Sequence, residues 1–304
     1  MARALLLVGS KGGGYARASL LSKIDNLALD IVWLDKKLYV ELSAKRLLFQ
    51  DRRKYDLLSY DLIVYWPASF QNPRDRIGAG FSIEEYVSRS WRVVEEAMFL
   101  GLDDVMLNPY RAACDAANKA LVFHLALENG IRMPGSLITN SARAASSVDA
   151  PRVAKTVTDT VDIDKELKFY TRNYKWSPRD GRRSDHPVLF QHFIKAIREY
   201  RAHFFGGDVI VAEIDRDDKL FDVRLIAQKA LKCRIVENDE VAATMVRLGA
   251  IFGLSMFSAD FIEDWNGYIY FLDLNPHGSW NWLRQSVRGP LDRAYMQFIR
   301  DRLR

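Results

Sequence analysis

The stretch Ser258–Trp282, SADFIEDWNGYIYFLDLNPHGSWNW, constrains this chain more than any other. It predicts a strand over SADFI, a turn over Asp264–Gly267 and a second strand over YIYFLDLN. Side chains alternate along a strand, so Asp273 and Asn275, two apart, share one face. Asp260 lies on the partner strand, within reach across a tight hairpin. Two carboxylates and an amide oxygen at one end of an apolar hairpin make a hard-oxygen set. Mg²⁺ suits such a set, because it takes few protein oxygens and completes its octahedron with phosphates and water. The residues alone leave a second reading open, in which the polar ends of the hairpin simply meet solvent.

The same stretch carries a resemblance. FLDLNPHGSWNW resembles the last motif of ATP-grasp ligases, in which an acidic residue and an Asn two apart bridge the magnesium ions of ATP. Its NP-x-G-x-W-x-W form is similar to that of the peptide maturases that make side-chain esters and amides, the graspetide or microviridin-type ligases. Asp273 stands where that family usually has Glu. The resemblance implies an ATP-grasp fold, α/β and α+β, preceded by an N-terminal α/β domain. It divides the chain into a pre-ATP-grasp domain (1–105), a central subdomain (106–190) and a C-terminal subdomain (191–304).

Composition bounds the rest. With 304 residues, the chain is longer than one compact core usually needs, so two or three subdomains are expected. No run of 18 apolar residues is present, so no membrane span is expected. The N-terminal run MARALLLVGSKGG fits a first buried strand better than a signal peptide. Cys114 and Cys233 match no metal spacing, and a reduced cytoplasmic protein is the simplest reading. A net charge of +5 and a pI near 9.1 suit an acidic partner such as nucleotide phosphates or an acidic peptide, or serve solubility alone. Nothing in the pattern argues for nucleic acid specifically. The sequence leaves oligomeric state open, a homodimer included.

Along the chain, residues 2–8, 29–34 and 60–66 read as strands, with helices over Tyr15–Leu27 and Phe81–Leu100. That alternation suggests a mostly parallel sheet. The loop Gly9–Gly14 between a strand and a helix can bind phosphate at the helix N-terminus, but it is neither a Walker A nor a G-x-G-x-x-G pattern, and a flexible βα turn is the other reading. One helix is expected from about Arg111 to Glu128, capped by Asn129-Gly130, with an extended segment from Pro134. PRVAKTV (151–157) and PVLFQHFI (187–194) read as strands. YRAHFF, Gly206-Gly207 and DVIVAEID form a hairpin signal. Asp239 to Gly253 reads as an amphipathic helix, and a last helix is expected after Gly289-Pro290.

The resemblance runs through residues 106–304 and assigns roles along them. It implies that Lys119 and Lys155 contact the phosphates and that adenine lies on the strand Gln191, His192, Phe193, Ile194, where His192 replaces the family's usual Glu. It implies that Asp260, Asp273 and Asn275 hold Mg²⁺. Arg201 and Arg224 can each present a planar fork of donors to a phosphate or acyl-phosphate oxygen, or belong to surface ion pairs. The expected activity is ATP-dependent activation of a carboxylate as an acyl phosphate, followed by ester or amide formation. The expected partner is a ribosomally made precursor peptide with a leader, or a small acidic substrate. Two other readings stay open: a ligase that adds a free amino acid to a protein or small peptide, and a catalytically degenerate ATP-binding protein.

Overall fold

A computed structural model describes residues 1–9, 14–34, 36–66, 81–141, 152–157, 174–176, 187–215 and 232–304. Its first strand, β1 (Ala2–Val8), is the centre of a parallel three-stranded sheet between β2 (Leu27–Trp33) and β6 (Leu62–Tyr65). Ala4 to Val8 are fully buried because helices cover both faces, which is why this strand is apolar without alternation. Helix α1 (Gly14–Leu21) covers one face and α2 (Phe81–Phe99) the other.

Two expectations for this region need correction. The first helix ends at Leu21 rather than Leu27, because Leu27 already pairs with Ala2 as the start of β2. The basic region between the second and third expected strands is not a plain connection. It forms a small antiparallel sheet of β3 (Tyr39–Leu42), β4 (Arg46–Gln50) and β5 (Arg53–Asp56).

The expected long helix over 111–128 is two helices. Helix α3 (Tyr110–Ala117) stops at Asn118, whose backbone is extended, and α4 (Lys119–Glu128) restarts immediately. The Asn118 side chain accepts hydrogen bonds from the backbone of Ala120 and Leu121, at 3.1 and 3.2 Å. Asparagine is a strong N-cap, so it competes with helix continuation here and turns Lys119 into the first residue of α4.

The middle of the chain builds an antiparallel sheet in the order β7 (Ser136–Thr139), β10 (Val188–His192), β8 (Arg152–Thr156), β9 (Tyr174–Trp176). The C-terminal part builds a five-stranded antiparallel sheet: β13 (Cys233–Val236), β12 (Asp208–Ile214), β11 (Ala196–Phe205), β14 (Met256–Asp264), β15 (Ile269–Asn275). Helix α5 (Asp239–Phe252) packs Val241, Met245, Leu248 and Phe252 against one face of it, the face that carries Tyr200, Ala202 and Phe204. Asn238 caps this helix through Val241 N–H, and Gly253 ends it in the left-handed conformation, φ +64°.

The last helix, α6 (Gln285–Arg302), starts before the Gly289-Pro290 pair rather than after it. Pro290 removes one helical donor near the start, and the helix tolerates it. Its residues Val287, Leu291, Tyr295 and Ile299 share a core with Leu6, Val8, Leu62 and Val64 of the parallel sheet. The N-terminal part is thereby packed directly onto the C-terminal helix.

Candidate active site

The β14–β15 hairpin places the expected acidic residues by register. Asp260 and Asp273 are direct cross-strand partners, and Ser258 pairs with Asn275. Next to them the pairing shifts, so that Phe261 opposes Phe271 and Leu272 is left over as a bulge. A bulge re-aims the local strand, and here it brings Leu272 and Asp273 together into the lining of one cleft. On the other side β11 supplies Arg201, the cross-strand partner of Asp260. The sheet face turned away from α5 therefore carries a charged row, Arg201, Asp260 and Asp273, across three adjacent strands.

Arg201 donates from Nη1 to Asp260 Oδ1 at 2.7 Å, and its side chain is only 10 % exposed. A surface ion pair is thus excluded for Arg201. Its buried Nε has no hydrogen-bond partner. Lys119 Nζ lies 3.9 Å from Asp273 Oδ2. Burial raises the Asp273 carboxyl above its ordinary value; Lys119 pulls it back, Asp260 pushes it further up, and Lys155 and Arg201 act like Lys119. Its side chain is 42 % exposed. Two facing carboxylates, one of them resisting ionisation, form a site that gains from a bound cation. Asn275 is exposed, and its Oδ1 accepts the backbone N–H of His277 at 2.9 Å, which fixes the side chain's direction.

The cleft is lined by Lys119, Val122, Phe123, Met133, Lys155, Leu189, Gln191, Leu272 and Asp273, with about 320 Å³ of empty space counting its open mouth. Lys155 on β8 pairs with Leu189 on β10, and Gln191 is two residues along the same strand, so all three point to one face. Four expected residues, Lys119, Lys155, Gln191 and Asp273, thus meet in one place. Gln191 is 2 % exposed; its amide donates to Ser136 Oγ at 3.1 Å, while its buried Oε1 accepts no hydrogen bond. Val122, Phe123, Met133, Leu189 and Leu272 make the apolar walls.

This donor set fits a purine nucleotide with Mg²⁺. The cleft has apolar walls for a flat base, an orphaned carbonyl oxygen able to accept from an exocyclic amine, two lysines for phosphates and two facing carboxylates. Among the described residues no group of three or more His, Cys, Asp or Glu could hold a metal.

The remaining expected residues fall elsewhere. His192 donates its backbone N–H to Gly135 O at 2.7 Å, and its ring lies so close to Gly135 that a Cβ there would meet Nδ1 at 2.7 Å. It is a packing residue. Phe193 and Ile194 lie just past the end of β10. Arg224 is outside the described residues, as are residues 10–13 of the glycine loop and most of the 158–186 segment.

Sequence reasoning missed several residues. Asn108 makes four hydrogen bonds: Oδ1 accepts the N–H of Ser255 and Met256, and Nδ2 donates to Met256 O and Pro276 O. It ties the start of β14 to the residue after β15 and so clamps both ends of the hairpin. Its place in an Asn-Pro pair ahead of a helix was the only available signal. The apolar walls and the Leu272 bulge left none.

Comparisons with known proteins agree on the fold. No protein-family model and no curated protein matches the chain. Solved structures do, and they share an ATP-grasp fold with it over 98–99% of the chain. The macrocyclase MdnC from Microcystis aeruginosa MRC, bound with precursor peptide MdnA, has a TM-score of 0.80 at 17% identity, covering 98% of this chain and 99% of its own. The macrocyclase MdnB from the same organism has a TM-score of 0.75 at 21% identity, covering 98% and 99%. A RiPP-associated ATP-grasp ligase from Chryseobacterium gregarium, in complex with ADP and a leader and core peptide, has a TM-score of 0.74 at 17% identity, covering 99% and 97%.

Proposed function

We propose that this chain is an ATP-dependent carboxylate ligase that forms ester or amide bonds between side chains of a ribosomally made precursor peptide. The observation that carries this is the meeting of Lys119, Lys155, Gln191 and Asp273 in one cleft beside the Arg201–Asp260 pair. The likeness to a macrocyclase bound with its precursor peptide, and to a RiPP-associated ATP-grasp ligase in complex with ADP and a leader and core peptide, supports the same reading.

In this reading the adenine amine donates to Gln191 Oε1, between the apolar walls. Lys155, on a strand, and Lys119, at the first position of α4, hold the phosphates; the helix N-terminus adds its own positive end. Asp260, Asp273 and Asn275 hold Mg²⁺, which neutralises phosphate charge when bound. A peptide carboxylate oxygen attacks the γ-phosphorus and ADP leaves, giving an acyl phosphate. A hydroxyl or amine then attacks that carbonyl and inorganic phosphate leaves. Arg201, which holds Asp260 through Nη1 and keeps an unpaired Nε, would present its fork to the charge developing on the acyl phosphate. Arg224 is assigned a similar role on the resemblance alone. Catalysis of this kind rests on positioning and charge, so it does not call for a general-base histidine.

We keep the division into units at 105/106, and we move the second boundary from 190/191 to the end of β10, since a strand paired on both sides is one unit. Among the described residues no helix is long and apolar enough to cross a membrane. We assign the protein to the cytoplasm, in keeping with Cys114 and Cys233 forming no disulfide.

The experiment is to incubate the protein with ATP, Mg²⁺ and short Thr- and Glu-rich peptides encoded beside its gene. Loss of one water per bond by mass spectrometry, with ADP released, is the expected result. Addition of a free amino acid instead would favour the alternative ligase. ATP binding without any turnover would favour the degenerate one.

A further inference from the structure

The loop that leaves β15, Pro276 to Leu283, is gripped mainly from the N-terminal third of the chain. Asn108 holds the Pro276 carbonyl. The His277 ring sits against Tyr65 and Trp66, ring centres 6.1 and 6.3 Å apart. Gly278 lies directly on the sheet, where a Cβ would come within 1.7 Å of Ser258 Oγ. Ser258 is the residue that pairs with Asn275. Trp280 is fully buried, its edge against His203 and Phe205.

Arg17, on α1, completes this grip. Its guanidinium carbon lies 3.9 Å from the Trp280 ring centre, 4.0 Å from that of Trp66 and 4.3 Å from that of Tyr295. Both Nη atoms are buried; among the described residues no carboxylate hydrogen-bonds them, and the Tyr295 hydroxyl is the polar group that faces them. The nearby Asp292 accepts Trp280 Nε1 at 2.8 Å instead. Burial lowers the Arg17 pKa to about 10, which leaves it charged at neutral pH. A buried guanidinium that, among the described residues, feels Asp292 only at a distance is a poor stabiliser, even though each ring returns about 0.5–2 kcal/mol. A methionine would fill the same space at lower desolvation cost. What the guanidinium adds is a flat plate that locks the plane of the ring beneath it.

We propose that Arg17 is a positioning residue. By locking Trp280 it holds the Asn275–Gly278 turn against Ser258 and so aims the Asn275 amide oxygen at the cation shared with Asp260 and Asp273. This rests on the metal reading of the site given above. It makes the N-terminal part of the chain a component of the metal site, although no metal-binding residue comes from it.

The test uses the full chain with Mn²⁺ as probe, titrated by electron paramagnetic resonance in the presence of ADP. Arg17→Met should fold, bind ADP within about twofold of wild type, and need about tenfold more Mn²⁺ for half-saturation, the size typical of a lost outer-shell partner. Arg17→Lys should fall between, since it restores the charge but not the plate. Trp280→Phe, which keeps a ring but loses the bond to Asp292, should shift Mn²⁺ binding in the same direction, and serves if Arg17→Met fails to fold. Unchanged Mn²⁺ binding in these variants, with only thermal stability reduced, would overturn the inference and leave the metal reading intact. Absence of Mn²⁺ binding in wild type with ADP present would overturn both.

Discussion

Two sheets face the cleft, and they are anchored differently. The five-stranded sheet that carries Arg201, Asp260 and Asp273 is backed by α5 and a broad core including Phe204, Phe257, Phe261 and Phe271. The four-stranded sheet that carries Lys155 and Gln191 has, among the described residues, a core of only Ala154, Val188 and Phe190. The difference suits the proposed chemistry. In that reading facing carboxylates and an arginine fork need fixed geometry, because a cation site loses affinity when its ligands drift. A lysine on a phosphate is a point charge on a long stem and tolerates movement of the sheet beneath it.

The comparison can be broken first on stability. Phe261→Ala should cost about 3–5 kcal/mol in chemical denaturation, because the fully packed sheet cannot close over the cavity. Phe190→Ala should cost clearly less and should speed hydrogen exchange locally in β8 and β10. Equal losses would mean that the two sheets form one cooperative unit.

Activity gives the next largest contrast. Asn275→Ala removes one exposed end group, so thermal unfolding should barely move, yet turnover should fall about 10²-fold or more. Lys155→Ala should act on the other side of the cleft, raising the KM for ATP about tenfold with a smaller change in kcat. If both variants consumed ATP like wild type, the site assignment would fail.

The pH dependence sharpens the same point with the smallest effect. His203, buried on the rigid sheet, has its pKa well below the ordinary 6.5, first through burial and then through Arg201 and Arg17. His277, partly buried on the loop, is lowered to about 4, chiefly by burial. A depressed histidine pKa means that the neutral form is the folded one. The stability it contributes is full above pH 6.5 and is lost as pH falls below it, at up to about 1.4 kcal/mol per pH unit per histidine. Denaturation midpoints at pH 7.5 and 5.5 should therefore differ less in His203→Phe than in wild type. An unchanged difference would mean that His203 does not stay neutral.

Much of the candidate site was legible because the spacing that sets its polar residues together is local. Asp273 and Asn275 share a face by strand periodicity alone, and the tight turn at Asp264–Gly267 brings Asp260 opposite without knowledge of the rest. The parallel sheet was likewise readable from continuous apolar runs such as Leu5–Val8. Where the reading failed, a single side chain outvoted a pattern. Asn118 capped α4 in the middle of an apparently continuous helix, and the β3–β5 sheet formed in a region that looked merely polar and basic.

The sequence by itself therefore determined the hairpin, the acidic pair on it and the lysine-bearing strand, since each depends on neighbours a few residues away. Only the tertiary structure decided that Lys119 of α4 reaches Asp273, that Arg201 pairs with Asp260, and that Arg17, some 260 positions before Trp280, stacks on it. These contacts join residues far apart in the chain, and their energies arise from burial and charge that exist only once separate layers have packed.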